Sequence, residues 1–185
     1  MKHGIAAWIN EKSAYSFDQD LIEYGLACLV RYAAFGVITI LVAVFLKLVP
    51  QTVLFLGLYS IQRNMTGGFH FKGAVICCIT SVLFVLAGAA ILALIPVGPV
   101  FCFIVTGVIG LIYSRYAPVI DQGKIAFSSE EVVHIRIKIM RIYLILAFSC
   151  LVFYGFGLTV FVRGIIVSML ANGLTLLMGK ISNAS

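Results

Sequence analysis

The chain has 185 residues, of which 62% are hydrophobic and 11% are charged, and its formal net charge is +6. A soluble domain carries roughly a quarter charged residues, so this composition excludes a protein whose whole surface faces water. We therefore predict an all-α integral membrane protein. Its excess positive charge is expected in cytoplasmic loops near anionic headgroups and does not indicate nucleic-acid binding.

The predicted elements are an amphipathic segment followed by six apolar runs. Residues 1–20 resemble an interfacial helix, because Trp8 and other apolar residues alternate with charged ones. A helix needs about 20 apolar residues to cross the bilayer, so two of the six predicted transmembrane helices are short. The shortest run, 52–61, either borrows residues from its flanks or forms a half-span inside the protein. A tight turn at Arg163 is expected before the last run. The runs are Leu21–Leu48, Thr52–Ile61, Gly73–Ile95, Val100–Tyr113, Ile142–Val162 and Gly164–Gly179.

The Lys and Arg residues predict the orientation of these spans. With both termini in the cytoplasm, ten basic residues lie inside, and only Lys47 and Arg163 lie in outside turns. Residues 62–72 and the basic segment 114–141 are then cytoplasmic loops of one membrane-embedded domain that covers residues 1–185. The ten basic residues inside are Lys2, Lys12, Arg63, Lys72, Arg115, Lys124, Arg136, Lys138, Arg141 and Lys180.

A polar stretch with candidate catalytic residues precedes the third apolar run. Gly67 and Gly68 are followed by His70, and Cys77 comes seven residues later. A thiol with a pKa of about 8.5 is mostly protonated at neutral pH, whereas a neighbouring imidazole or a helix N-terminus favours the nucleophilic thiolate. On one continuous helix the two side chains would stand about 10.5 Å apart along the axis, so His70 must fold back from a loop. The glycines allow that fold, and Cys78 points about 100° away from Cys77.

Two charged residues are candidates for supporting this pair. Arg63 can bind a substrate carboxylate or hold the loop, and the alternative is an interface arginine with no role in turnover. Glu23 is a candidate to orient His70, and structural pairing with Arg31 is the alternative. No metal or other cofactor is expected, because His134 lacks cysteine or carboxylate partners at metal-ligand spacing.

The polar stretch resembles the R…G-G-x-H-x6-C pattern of the AgrB family, the accessory gene regulator membrane cysteine endopeptidases. Ile22–Leu26 is similar to the family's N-terminal segment, and Tyr116–Ile125 is similar to its central cytoplasmic loop. In this loop the family often has proline after the basic residue, whereas Lys124 is followed by isoleucine. The residues that carry the pattern are Arg63, Gly67, Gly68, His70 and Cys77.

The resemblance implies an activity at the cytoplasmic face of the cell membrane. Members of this family cleave the C-terminal tail from a short AgrD-like peptide precursor and keep the upstream part as an acyl-thioester. A cysteine or serine of the precursor then closes a thiolactone or lactone ring, which yields a quorum-sensing signal. The resemblance thus implies Cys77 as the nucleophile, His70 as the general base and later acid, an AgrD-like precursor as the partner, and a homodimer.

Two other functions are compatible with the sequence. A small transporter or channel for a peptide or solute would place paired charges or polar stripes across the middle of several spans. The spans after Gly73 carry few charges, which disfavours this alternative. A structural or assembly protein of the membrane would have no reactive thiol.

Overall fold

The computed structural model of the protein describes residues 19–69, 73–119 and 128–182. This part of the chain forms six helices and one isolated backbone bridge, between Gly67 and Val119. His70 and nearly all of the predicted interfacial helix lie outside the described residues. The helices are α1 (Gln19–Phe45), α2 (Val49–Thr66), α3 (Ala74–Leu94), α4 (Pro99–Tyr116), α5 (Ser129–Gly155) and α6 (Thr159–Ser182).

The apolar composition of these helices confirms the predicted class of all-α integral membrane protein. Five of the six described helices, α1 and α3 to α6, are long and apolar enough to cross a membrane. Large apolar side chains such as Leu94 and Phe103 are exposed on their outer faces, as expected for contact with lipid. The remaining helix, α2, has 18 residues and is about 27 Å long, but its last turns are polar.

Local sequence signals account for where the helices begin and end. Pro50 and Pro99 lie in the first turns of α2 and α4, where a missing N–H costs no helical hydrogen bond. The side chain of Ser128 accepts a hydrogen bond from the Glu131 amide at 3.2 Å, and the Glu131 carboxylate accepts one from the Ser128 amide at 2.8 Å. This reciprocal capping box fixes the start of α5. Gly157, with φ of 72°, closes the turn after α5.

Several predicted boundaries differ from those of the structure. The short run 52–61 borrows from both flanks, because Pro50 allows an earlier start and the polar residues up to Thr66 remain helical. The loop expected at 62–72 therefore begins only at Gly67. Likewise, the segment 114–141 includes the end of α4 and the start of α5. The turn expected at Arg163 was wrong, since the chain turns at residues 156–158 and Arg163 lies within α6.

The described helices belong to two compact units, Met1–Val42 and Ala43–Ser185. The described part of the first unit is the greater part of α1, which includes Glu23 and Arg31. The second unit contains the end of α1 and all of α2 to α6, including the described residues of the candidate site other than Glu23.

Within the second unit, α6 is the central helix. It packs against α2, α3, α4 and α5, and every residue from Gly164 to Met169 is buried. Gln62 is bonded to Ser168, and Thr66 is bonded to Asn172, so residue numbers rise together along α2 and α6. These two helices therefore run parallel. Their C-terminal ends, together with the end of α4 and the starts of α3 and α5, form what we call the site end of the bundle.

Candidate active site

Cys77 lies in the first turn of α3, directly after the loop that follows α2. Gly73 caps this helix with φ of 103°, and the Cys77 amide donates to the Gly73 carbonyl at 3.0 Å. The Cys77 side chain is half-buried, as is that of Cys78. Side chains of a helix lean toward its N-terminus, where the positive end of the helix dipole favours an anion. Cys77 is therefore placed near the positive end of its own helix.

Arg63 holds the backbone of the loop between α2 and α3. One terminal nitrogen of its guanidinium donates to the Gly67 carbonyl, and the other donates to the Phe69 carbonyl. The Arg63 charge is also close enough to Cys77 for electrostatic interaction. A single half-buried cation thus contacts the loop and also interacts electrostatically with the candidate nucleophile.

Both loop glycines lie where a side chain would clash with neighbouring atoms. Gly67 has φ of 69°, and a Cβ atom there would collide with the Val119 carbonyl oxygen. Gly68 has φ of 132°, and a Cβ atom would collide with the Arg63 guanidinium and lie 2.9 Å from the Thr175 carbonyl oxygen. L-residues rarely adopt these backbone conformations. The predicted pair of glycines therefore permits the tight loop that Arg63 clamps.

The C-terminal part of α6 supports the same loop from another direction. The Phe69 amide donates to the Thr175 carbonyl at 3.1 Å. Gly179 faces the loop so closely that a Cβ atom on it would lie 2.7 Å from Phe69 N and 2.8 Å from Gly68 Cα. On the opposite edge of the loop, the Val119 amide donates to the Thr66 carbonyl at 2.9 Å. The backbone of residues 66–69 is thus held by α6 and by the chain after α4.

A buried polar network joins α2, α4 and α6 beneath this loop. Tyr113 donates to Gln62 Oε1 at 2.8 Å and accepts from Asn172 Nδ2 at 2.7 Å. Thr66 donates to Asn172 Oδ1 at 3.1 Å, and Gln62 Nε2 donates to Ser168 Oγ at 2.9 Å. All five side chains are at most 2% exposed. Since unpaired polar groups are costly inside a membrane protein, this network fixes how α2 sits against α6.

The structure brings together some of the predicted site residues. Arg63, Gly67, Gly68 and Cys77 lie around one loop at the site end. Glu23 is half-buried in α1, within the other compact unit, and its role beside His70 stays a prediction.

The sequence analysis missed the contribution of α6 to the site. A readable signal was the spacing of Ser168, Asn172, Thr175 and Gly179, which are small or polar residues on one face of an otherwise apolar helix. In the part of the chain that the structure describes, no three His, Cys, Asp or Glu side chains are grouped as metal ligands would be.

The fold and the site define an integral membrane protein whose helical bundle carries a candidate thiol centre at one end. The sequence model of the AgrB family, accessory gene regulator B, matches residues 3–177. The chain therefore belongs to the AgrB family, which confirms the resemblance of its polar stretch, and it is a membrane protein of the accessory gene regulator system. No curated protein and no solved structure matches the chain.

Proposed function

We propose that this AgrB-family protein is a membrane cysteine endopeptidase that removes the C-terminal tail of an AgrD-like precursor and promotes its cyclisation. The observation that carries the proposal is the position of Cys77. The thiol lies at the N-terminus of α3, beside the charge of Arg63 and after a loop whose backbone is hydrogen-bonded on both sides. A helix N-terminus and a nearby cation are the surroundings that activate a cysteine.

The proposed reaction has two acyl-transfer steps. His70 takes the thiol proton of Cys77, and the thiolate attacks the scissile carbonyl. As the C–N bond breaks, the imidazolium of His70 gives its proton to the leaving amine, and the tail departs with a new amino terminus. A thiol or hydroxyl of the precursor then attacks the acyl-thioester, closes a thiolactone or lactone, and returns the proton to the Cys77 sulfur.

Water must be kept from the acyl-enzyme if the internal nucleophile is to capture it. Hydrolysis of the thioester would yield a linear peptide, so cyclisation depends on a site that excludes solvent. The site end of a helical bundle at the membrane interface suits this requirement. An amphipathic leader on the precursor would also raise its local concentration there.

The contacts of Arg63 favour one of the two roles that the sequence suggested. Its two terminal nitrogens donate to the carbonyls of Gly67 and Phe69, so a loop-holding role has direct contacts behind it. Binding of a substrate carboxylate would need further N–H donors of the same guanidinium. We propose that Arg63 chiefly fixes the loop and that its charge favours the thiolate of Cys77.

We propose that the site end faces the cytoplasm. Arg63, Arg115 and Lys180 lie near the C-terminal ends of α2, α4 and α6. The half of α5 nearer the same end carries Arg136, Lys138 and Arg141. Lys47 and Arg163 lie toward the other end. Basic residues are enriched on the cytoplasmic side of membrane proteins. A reporter enzyme fused after Ser185 should therefore be active if it functions in the cytoplasm and inactive if it functions only outside the cell.

Co-expression with a cognate precursor tests the proposed activity. Cys77→Ala and His70→Ala should leave the precursor uncleaved while the protein remains inserted in the membrane. Cys78→Ala is the matched control, because it removes a half-buried thiol from the adjacent position of the same helix. It should retain tail removal. Release of the tail by Cys77→Ala would refute the assignment. Solute or peptide flux that survives this substitution in proteoliposomes would instead favour the transporter alternative.

A further inference from the structure

One face of α6 contacts the end of α2 and the following loop in sequence order. Ser168 and Asn172 bond to the side chains of Gln62 and Thr66. One turn further on, this face of α6 contacts the loop backbone, first at the Thr175 carbonyl and then at Gly179. The spacing of these α6 residues, four, three and four, keeps them on a single helical face.

Gly179 lies on this face at a point where the loop leaves no room for a side chain. A Cβ atom on Gly179 would lie 2.7 Å from Gly68 C and Phe69 N. Those atoms belong to the backbone and cannot swing aside as the end of a flexible side chain could. The loop is also held by Arg63 at the Phe69 carbonyl and by Thr175 at the Phe69 amide. Any side chain at position 179 would therefore displace the backbone at Phe69.

We infer that Gly179 is a positioning residue, whose lack of a side chain lets α6 fix the backbone at Phe69, the residue that precedes His70 in the sequence. The inference rests on the proposed function, in which His70 activates the thiol. Phe69 directly precedes His70 in the chain, so a displacement of the Phe69 backbone is passed to the histidine. Because general-base catalysis requires heavy-atom distances of about 3 Å, a shift of even about 1 Å at this point would weaken the proton transfer.

The pH dependence of Cys77 alkylation tests the inference independently of any precursor. The full-length protein in detergent or nanodiscs is labelled briefly with iodoacetamide over a pH series, and the Cys77 peptide is quantified by mass spectrometry. Helix α3 packs against α2 and α6. The titratable side chains toward this end of the three helices, Tyr59 and Arg63 on α2, Cys78 on α3 and Lys180 on α6, are the same in every variant.

We expect His70→Ala to slow alkylation of Cys77 at pH 7 about tenfold. The pH dependence of its alkylation rate should become more like that of an ordinary thiol. Gly179→Ala should reproduce most of that change. The double variant His70→Ala with Gly179→Ala should be no slower than His70→Ala alone, because both substitutions remove the same interaction.

Gly173→Ala is the matched control on the same helix. Its Cβ atom would lie 2.7 Å from Ile109 Cδ1, the flexible end of a side chain on α4, and not from the loop. This variant should label like the wild type. Gly68→Ala displaces the same loop from its own side, since its Cβ would collide with the Arg63 guanidinium and lie 2.9 Å from the Thr175 carbonyl oxygen. It should behave like Gly179→Ala, and it replaces that variant if Gly179→Ala does not insert.

Different results would refute the catalytic pair and the positioning role of Gly179. If His70→Ala labels like the wild type, the proposed catalytic pair is refuted. If His70→Ala slows labelling but an inserted Gly179→Ala or Gly68→Ala follows the wild-type profile, the positioning role of Gly179 is refuted. Slower labelling in Gly173→Ala, equal to that in Gly179→Ala, would also refute it, because general packing of α6 would then account for the effect.

Discussion

Thr66 at the end of α2 donates a hydrogen bond to Asn172 on α6, with 3.1 Å between Thr66 Oγ1 and Asn172 Oδ1. Both residues are at most 1% exposed. Asn172 also donates to the Tyr113 hydroxyl at 2.7 Å, so one amide joins three helices at the depth where the site begins. This position makes Asn172 the central member of the buried network.

Replacing Asn172 by leucine should therefore destabilise the bundle. The substitution leaves Thr66 and Tyr113 without their shared partner in a buried setting, and we expect a loss of about 1 to 3 kcal/mol in the free energy of unfolding. Denaturant titration in mixed micelles would measure it. Ser114→Ala is the control, because Ser114 is exposed and bonds within its own helix to the Leu111 carbonyl. Equal stability of the Asn172→Leu variant and the wild type would contradict the structural role of the network.

Tyr113→Phe should show energetic coupling to Asn172→Leu. Either substitution removes the bond between the Tyr113 hydroxyl and Asn172, so the double variant should lose less stability than the sum of the single variants, by about 0.5 kcal/mol or more. The same titration provides the double-mutant cycle. Ser128→Ala removes the cap of α5 instead and should cost about 1 kcal/mol. The loss of stability from Ser128→Ala should add to that from Asn172→Leu. If the losses from Tyr113→Phe and Asn172→Leu were also strictly additive, that result would argue against a hydrogen bond between Tyr113 and Asn172.

The course of the helices could be predicted where hydrophobicity and turn residues agree. The run Gly73–Ile95 and helix α3 (Ala74–Leu94) nearly coincide, because a glycine and a proline flank a continuous apolar stretch. The start of α5 could not be read from hydrophobicity, since its first turns are charged and extend beyond the apolar run. There the better signal was local, namely the Ser128 and Glu131 capping box.

The part of the candidate site whose residues are close in sequence could be predicted, whereas the part formed by contacts between distant segments could not. Arg63, the glycine pair and Cys77 lie within one short stretch, so their spacing alone indicated a common loop. The contacts of α6 with this stretch join residues 106 positions apart, as in the pairs Gln62 with Ser168 and Thr66 with Asn172. No periodicity within either segment reveals which face of one helix will contact the other. The contribution of α6 to the site is therefore visible only in the three-dimensional structure.

Gly88→Ala tests the close packing of α2 against α3. A Cβ atom at Gly88 would collide with the Phe55 ring, which also contacts Tyr59 and Phe84 at ring-centroid distances of 5.5 and 6.4 Å. Because these rings leave little room for adjustment, we expect a loss of about 1 to 3 kcal/mol in the free energy of unfolding.

Gly57→Ala is the matched substitution, since nothing lies within 4 Å of its Cβ position on α2. It should leave stability unchanged or raise it by about 0.5 kcal/mol through reduced flexibility of the unfolded chain. Denaturant titration would compare the two variants. The same response from both would mean that the Phe55 ring is not in contact with α3 at Gly88.

Arg63→Lys tests whether the loop needs a guanidinium or merely a positive charge. Arginine presents N–H donors in a rigid fork that reaches the carbonyls of Gly67 and Phe69 together, whereas the single ammonium of lysine has no such geometry. We expect tail release from a co-reconstituted precursor to slow at least about tenfold, which corresponds to about 1.4 kcal/mol of lost transition-state stabilisation. Arg115→Lys, an exposed arginine in the last turn of α4, should cleave at the wild-type rate. If the Arg63→Lys variant supports wild-type cleavage, then Arg63 contributes charge at the interface and the loop is held by its contacts with Thr175 and Val119.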